Sequence, residues 1–130
     1  MVNLSSQAAT YFRSLQDSIC NALVELDGTK FREDCWDYQG RGGGRTRVLA
    51  EGHVFEKAGV NFSEVAGEFP EDLAATMPGN GRDFQATGVS LVLHPWNPMV
   101  PTVHANFRYL TKGDQGWFGG GADLTPYYPY

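Results

Sequence analysis

Apolar residues at Phe12, Leu15, Ile19, Leu23 and Leu26 recur every three or four positions, the spacing of one face of an α-helix. Ser5 or Ser6 offers a side-chain oxygen to cap the N-terminus, and Gly28 stands where a left-handed residue ends a helix. The pattern therefore predicts a helix over about residues 6–26. Beyond Gly28 the period changes. KFREDCWDY, RTRVLAEG, HVFEKAGVNFSEVAG, ATGVSLVLH, TVHANFRYL and WFGGGADL are short segments punctuated by glycine and proline, and they read as strands of an antiparallel sheet. Between the third and fourth of them, the stretch from Glu68 to Arg82 holds Pro70, Pro78 and Gly79-Asn80-Gly81. It is the expected long surface connection, free to move or vary without disturbing the rest.

Strand residues alternate between faces, so parity sorts the last three segments. Val89, Leu91 and Leu93 form an apolar face that leaves Gly88, Ser90, Val92 and His94 opposite; Val103, Ala105, Phe107 and Tyr109 do the same, leaving His104, Asn106 and Arg108. A hairpin across Pro95 to Pro101 that sets His94 directly opposite His104 also sets Ser90 opposite Arg108. One sheet face then carries Ser90, His94, His104, Asn106 and Arg108, a polar row that must meet solvent or a ligand. In the last segment Trp117, Gly119, Gly121 and Asp123 share a parity. Three consecutive glycines weaken a strand, and they suit a place where a large flat ligand approaches the backbone, with Asp123 at its end.

Composition narrows the choice. With 130 residues, 42% hydrophobic and 19% charged, the chain is expected to be one soluble domain. It shows no signal peptide and no run long enough to span a bilayer, so a cytoplasmic protein without an integral membrane segment is expected. The net charge of −5 argues against nucleic acid as a partner. Cys20 and Cys35 lack CxxC spacing and read as reduced thiols. GRGGGRTR lacks the Lys-Ser/Thr ending of a phosphate-binding loop, but Arg41, Arg45 and Arg47 beside its glycines are expected to attract a carboxylate-rich ligand. No later segment reads as a second helix able to cover the sheet, and TPYYPY ends the chain on aromatics and prolines that ordinarily lie against something. The expectation is part of a larger fold.

VFEKAGVN at 54–61, ATGVSLVLHPWNPMVPTVHANFRY at 86–109 and WFGGGADLTPYY at 117–128 resemble consecutive motifs of the oxygen-dependent coproporphyrinogen III oxidases of haem biosynthesis, most closely the bacterial branch. The resemblance covers nearly the whole chain but less than half of the family's usual length. It implies an α+β fold with a broad antiparallel sheet flanked by helices, incomplete here because the chain looks truncated, so that residues 1–130 are the N-terminal portion of a single-domain fold. It also implies a homodimer, coproporphyrinogen III as substrate, molecular oxygen as co-substrate, and no organic cofactor. The reaction converts two propionates to vinyl groups, yielding protoporphyrinogen IX, CO₂ and hydrogen peroxide. By resemblance, His104 is the proton donor and with His94 a ligand for the divalent metal, such as Mn²⁺, assigned to bacterial members, while eukaryotic ones are thought to work without one. Ser90, Asn106, Phe107 and Arg108 bind substrate, Phe107 through its backbone because it points to the core face; Asp123 hydrogen-bonds pyrrole N–H groups. Catalysis thus falls to His104, Asp123 and Arg108. Gly116-Trp117 departs from the two aromatics usual there, and further histidines and a glycine-arginine motif of the family are expected beyond Tyr130. The fragment alone is expected to be inactive; a non-catalytic tetrapyrrole-binding or interaction fragment is the alternative.

Overall fold

The computed structural model describes residues 3–128. A single long helix, α1 (Leu4–Asp27), precedes the strands β1 (Arg32–Asp37), β2 (Gly42–Ala50), β3 (Phe55–Glu68), β4 (Asp83–Pro95), β5 (Thr102–Lys112) and β6 (Gln115–Thr125). The strands lie side by side in chain order and every neighbouring pair is antiparallel, the simplest topology available to segments joined by short connections. The result is the α+β architecture expected, with one helix across one face of a six-stranded sheet. Pro129 and Tyr130 of the aromatic tail lie outside the described residues. Tyr127 and Tyr128, the described part of that tail, are 74% and 52% exposed, so these rings are largely open.

α1 starts two residues before the expected boundary and is capped by Asn3, not by Ser5 or Ser6. Asn3 holds an extended backbone, and its Oδ1 accepts the Ser6 N–H at 3.2 Å. Both serines already belong to the first turn, where a side chain cannot reach forward to a free N–H. At the other end Gly28 adopts φ +86° and its N–H returns to the Val24 carbonyl, as a left-handed terminating residue does.

The buried stripe of α1 runs through Phe12, Gln16, Cys20, Leu23 and Asp27. It is rotated from the apolar stripe read in the sequence, with Leu15 and Ile19 at its flank and Leu26 exposed. Two polar residues occupy the centre because each satisfies backbone groups that the sheet would otherwise bury unpaired. The Gln16 side-chain amide donates to the Arg45 and Val60 carbonyls at 2.6 and 2.9 Å, and its oxygen accepts from Arg45 Nε at 2.7 Å. Asp27 accepts the N–H groups of His53, Val54 and Phe55 at 3.0, 2.9 and 2.9 Å, clamping the end of α1 to the turn between β2 and β3. Burial pushes its carboxyl up. The three backbone donors and the Thr29 hydroxyl more than offset that and hold it well below the usual carboxylate range. Gly52 in this turn leaves the room required, since a Cβ there would collide with the Asp27 carboxylate.

Against this stripe the sheet presents Leu49, Ala58, Val60, Phe62, Val89 and Tyr109, which with Phe12, Cys20 and Leu23 form the core. Arg45 and Arg47 lie on the same face, so their expected role toward a carboxylate-rich ligand is not what the fold gives them. Asp17 of α1 takes both guanidinium groups, at 2.9 and 2.8 Å, and Glu33 of β1 takes Arg47 at 2.8 Å. Parity decides this: between the glycines and Val48, the arginines occupy the positions that point under the helix. The cover is partial, and Phe107, Phe118 and Leu124 on this face are 43%, 61% and 66% exposed.

The stretch between β3 and β4 is less free than its composition suggests. Phe69 stacks on Phe84 with ring centroids 4.4 Å apart, and the buried Lys112 ammonium donates to the Gly79 carbonyl at 2.5 Å. Asn80 and Asp114 exchange two bonds between backbone N–H and side-chain oxygen, at 3.3 and 3.1 Å. A short helix, α2 (Glu71–Ala74), occupies its middle. The connection is thereby fastened to the turn between β5 and β6. Among the described residues no helix is long and apolar enough to cross a membrane.

Candidate functional site

On the face of the sheet away from α1, backbone register assembles residues from all six strands into rows. One row runs Asp34, Thr46, Asn61, Ser90, Asn106, Gly121; the next runs Arg32, Val48, Gly59, Val92, His104, Asp123. On the other side of the first lies Trp36, Gly44, Ser63, Gly88, Arg108, Gly119. Side chains directly opposite one another stand about 4.5–5.5 Å apart at Cβ, so each row is a line of neighbours. The face is polar at its centre and low where glycine recurs. A Cβ at Gly59 would meet nothing within 4 Å, and at Gly119 and Gly121 only the Arg108 and Asn106 side chains at 3.9 and 4.0 Å. The glycines thus leave a flat floor open to a body lying on it.

The expected register of the hairpin is corrected here. His104 pairs with Val92, not His94; Ser90 pairs with Asn106, not Arg108; and Arg108 pairs with Gly88. The turn is built around Asn97, whose carbonyl accepts the Val100 N–H at 3.0 Å and whose Oδ1 accepts the Met99 N–H at 2.9 Å. That geometry moves the axis of the hairpin one residue toward the N-terminus. Because the pairing shifts by two residues, every side chain keeps its face. His94 stands diagonally from His104, with ring centroids 6.3 Å apart and planes at 88°.

The expected parity of β6 holds, with Gly119, Gly121 and Asp123 opposite Arg108, Asn106 and His104. Asp123 faces His104 across the strands, and His104 Nδ1 lies 3.0 Å from Asp123 Oδ1, which also accepts the Thr125 hydroxyl at 2.9 Å. An ionised carboxylate only accepts, so Nδ1 carries the hydrogen and Nε2 is the ring nitrogen that Asp123 does not engage. The hydrogen bond from Thr125 and then that from His104 hold the Asp123 carboxyl below its ordinary value, so it is ionised at neutral pH. Phe107 is on the opposite face, as parity predicts, and only its backbone borders this one. Asn106 Oδ1 is a buried acceptor without a hydrogen-bond partner among the described residues, a costly state that a donor from a ligand would relieve.

A larger hollow, about 820 Å³, is elsewhere. It lies beside α1 and is lined by Leu4, Tyr11, Phe12, Leu15, Phe107 and Phe118 among others. Its walls are almost wholly apolar, with no cluster of groups able to do chemistry. A smaller hollow of about 190 Å³ on the polar face is lined by Ser63, Gly88, Ser90, Asn106 and Arg108 and is the better candidate for anchoring a ligand.

The arrangement does not fit the expected divalent metal. Among the described residues no three histidine, cysteine or carboxylate side chains are grouped to hold an ion. His94 and His104 are near each other, yet Asp123 is already engaged with His104 and Thr125. Two imidazoles leave a hard ion such as Mn²⁺ short of oxygen ligands.

Sequence reading missed the contribution of β1–β3. Trp36 Nε1 donates to Thr46 Oγ1 at 2.9 Å, and Thr46 Oγ1 donates to Asn61 Oδ1 at 2.5 Å, beside Ser90 in the same row. The signal was present in KAGVNFS, where Lys57, Gly59, Asn61 and Ser63 alternate with the buried Ala58, Val60 and Phe62.

Comparison with known proteins agrees with the sequence resemblance. A family model described as Coproporphyrinogen III oxidase matches residues 7–130. The oxygen-dependent coproporphyrinogen-III oxidase of Prochlorococcus marinus strain MIT 9515 is 56% identical over 119 residues, which is 89% of this chain and 35% of that protein. The one from strain MIT 9312 is 55% identical over 120 residues, 90% of this chain and 35% of that one. The chain therefore spans about 35% of the length of the curated relatives it matches, and it belongs to the coproporphyrinogen III oxidase family.

Proposed function

We propose that this chain supplies the substrate-facing sheet of an oxygen-dependent coproporphyrinogen III oxidase, the enzyme that oxidatively decarboxylates two propionates of coproporphyrinogen III to give protoporphyrinogen IX. The observation that carries the reading is the polar face itself. His104, Asn106 and Arg108 stand in register with Asp123, Gly121 and Gly119 over an open glycine floor. A large, flat, tetracarboxylate ligand matches such a surface better than a small molecule that needs an enclosed cavity.

The chemistry assigns work to each residue. When a propionate becomes a vinyl group, the bond between its carboxyl carbon and the neighbouring methylene breaks and CO₂ leaves. The methylene next to the pyrrole gives up one proton, and two electrons pass to O₂. Forming hydrogen peroxide takes two protons, so the balance calls for one more per side chain. His104 is placed to deliver it when its imidazole also carries a proton at Nε2, while the ionised Asp123 holds Nδ1–H. A carboxylate beside the ring N–H groups also favours the electron-rich pyrrole from which oxidation starts. Arg108, which has no ion-pair partner among the described residues, suits a bidentate grip on a propionate. Ser90 adds a hydroxyl, Asn106 an unpaired acceptor, and the Phe107 backbone borders the same place. His94 contributes a second imidazole at the rim. No step is routed through a metal, because the donor set is short of ligands. A homodimeric, cytoplasmic working form belongs to the proposal on the resemblance alone.

The test replaces the matching third of the Prochlorococcus marinus oxidase with this chain and follows protoporphyrin fluorescence under O₂ after adding coproporphyrinogen III. Turnover by the chimera and none by the 130-residue chain alone is expected, with His104→Ala and Asp123→Ala costing far more than Val92→Ala. A folded chimera that forms no product, with substrate and O₂ verified, refutes the assignment. The chain alone would then be read as a tetrapyrrole-binding or interaction fragment.

A further inference from the structure

Asn61 is a residue to which no role in this reaction has been attached, and its surroundings define what it offers. Trp36 Nε1 can only donate, so the Thr46 oxygen it touches at 2.9 Å must accept. The Thr46 hydroxyl hydrogen is then free for Asn61, and the 2.5 Å separation suits O–H···O and is short for N–H···O, so the Asn61 carbonyl oxygen is the atom turned toward Thr46. Its NH₂ group is left without a protein partner among the described residues, half-buried in the row beside Ser90 and next to the open Gly59. The short Thr46–Asn61 separation supports this orientation of the amide.

Trp36 is held in place by more than that bond. Its ring lies over Gly44, where a Cβ would collide with the indole, so the glycine allows the aromatic to lie flat against the sheet. The relay from Trp36 through Thr46 to Asn61 spans β1, β2 and β3 and ends on the same line as Ser90 and Asn106. A chain of three side chains that presents a pair of N–H donors to an open face is built for an acceptor. On a tetracarboxylate ligand the acceptors are the carboxylates.

We propose that Asn61 binds a carboxylate of the substrate through its side-chain N–H, with Thr46 and Trp36 as positioning residues that hold the amide in the donating orientation. This rests on the functional reading above and extends the binding surface from β4–β6 to β2 and β3. Arg108 and Asn61 would then grip separate carboxylates, since they stand two strands and one row apart.

Coproporphyrin III, the oxidised and stable form with the same four propionates, is the probe, titrated into the 130-residue chain by fluorescence quenching, with folding of each variant checked by circular dichroism. Asn61→Asp keeps the acceptor for Thr46 but sets a negative charge against the ligand, and is expected to weaken binding more than tenfold. Thr46→Val should weaken it roughly three- to tenfold, as loss of one oriented hydrogen bond does, and Thr46→Ser should restore it. With the tetramethyl ester of the same porphyrin, Asn61→Asp and wild type should bind alike. If the folded wild type binds coproporphyrin III and both Asn61→Asp and Thr46→Val bind it equally well, the role of Asn61 is overturned and the functional reading stands. A folded wild type that binds no coproporphyrin III overturns both.

Discussion

Replacing Asp27 by asparagine should unfasten α1 from the sheet while leaving every apolar contact in place. The Asp27 side chain is 4% exposed and receives three backbone N–H groups within 3.0 Å, two on Oδ2 and one on Oδ1. An amide of the same shape keeps one oxygen for two of those donors and turns an NH₂ group against the third. Hydrogen bonds to a charged group contribute about 1.5–3 kcal/mol each and neutral ones about 1, so losing the charge on two bonds and abolishing one predicts a loss of roughly 2.5–7 kcal/mol. That is a large part of the stability of a domain this size. Urea denaturation followed by circular dichroism measures it.

The sign with pH follows from the depressed carboxyl of Asp27. A carboxyl whose folded value lies below its unfolded one, about 3.9, contributes fully above that value. The contribution falls away as pH drops toward the folded value, at up to about 1.4 kcal/mol per pH unit. The gap between wild type and Asp27→Asn should therefore be constant from pH 7 to about 5 and shrink below about 4. A gap that is the same at pH 7 and pH 3, or smaller than about 1 kcal/mol throughout, would refute the clamp.

Two further outcomes test the floor and the tether. Gly59→Val fills a position where a Cβ meets nothing within 4 Å and where the backbone is ordinary strand. Its stability should be unchanged or slightly higher, as β-branched residues favour strands, while coproporphyrin III binding falls at least tenfold in the same titration. Lys112→Met removes the ammonium that holds the Gly79 carbonyl, so limited proteolysis should cut near Gly79–Gly81 at a markedly higher rate without exposing the core strands. Equal cleavage rates in wild type and variant would show that the aromatic stack of Phe69 on Phe84 suffices.

What could be read from the sequence was whatever period alone decides. The alternation in β4 and β5 placed Ser90, His94, His104, Asn106 and Arg108 on one face, and β6 placed Gly119, Gly121 and Asp123 there too, because parity survives a register shift of two. The register itself was not legible. It depends on how Asn97 folds the turn, which is a matter of two hydrogen bonds and not of pattern. Polar residues in buried positions misled in the same way. Gln16 and Asp27 look like surface helix residues, and Arg45 and Arg47 like ligand-binding ones, until their partners on another element are known.

Those misread residues separate two uses of polarity in this fold. On the helix side every buried polar group is answered within the chain: Gln16 by strand carbonyls, Asp27 by a turn, Arg45 and Arg47 by Asp17 and Glu33. On the other side some groups are aligned but unanswered. Asn106 Oδ1 lacks a donor, the Asn61 amide lacks an acceptor, and Arg108 lacks an anion among the described residues. Leaving such groups unpaired costs free energy, and a structure that satisfies its polar groups so fully on one face has no stability reason to forgo it on the other. A ligand with N–H donors at its centre and carboxylates at its edge would complement all three at once, which is the chemical description of coproporphyrinogen III.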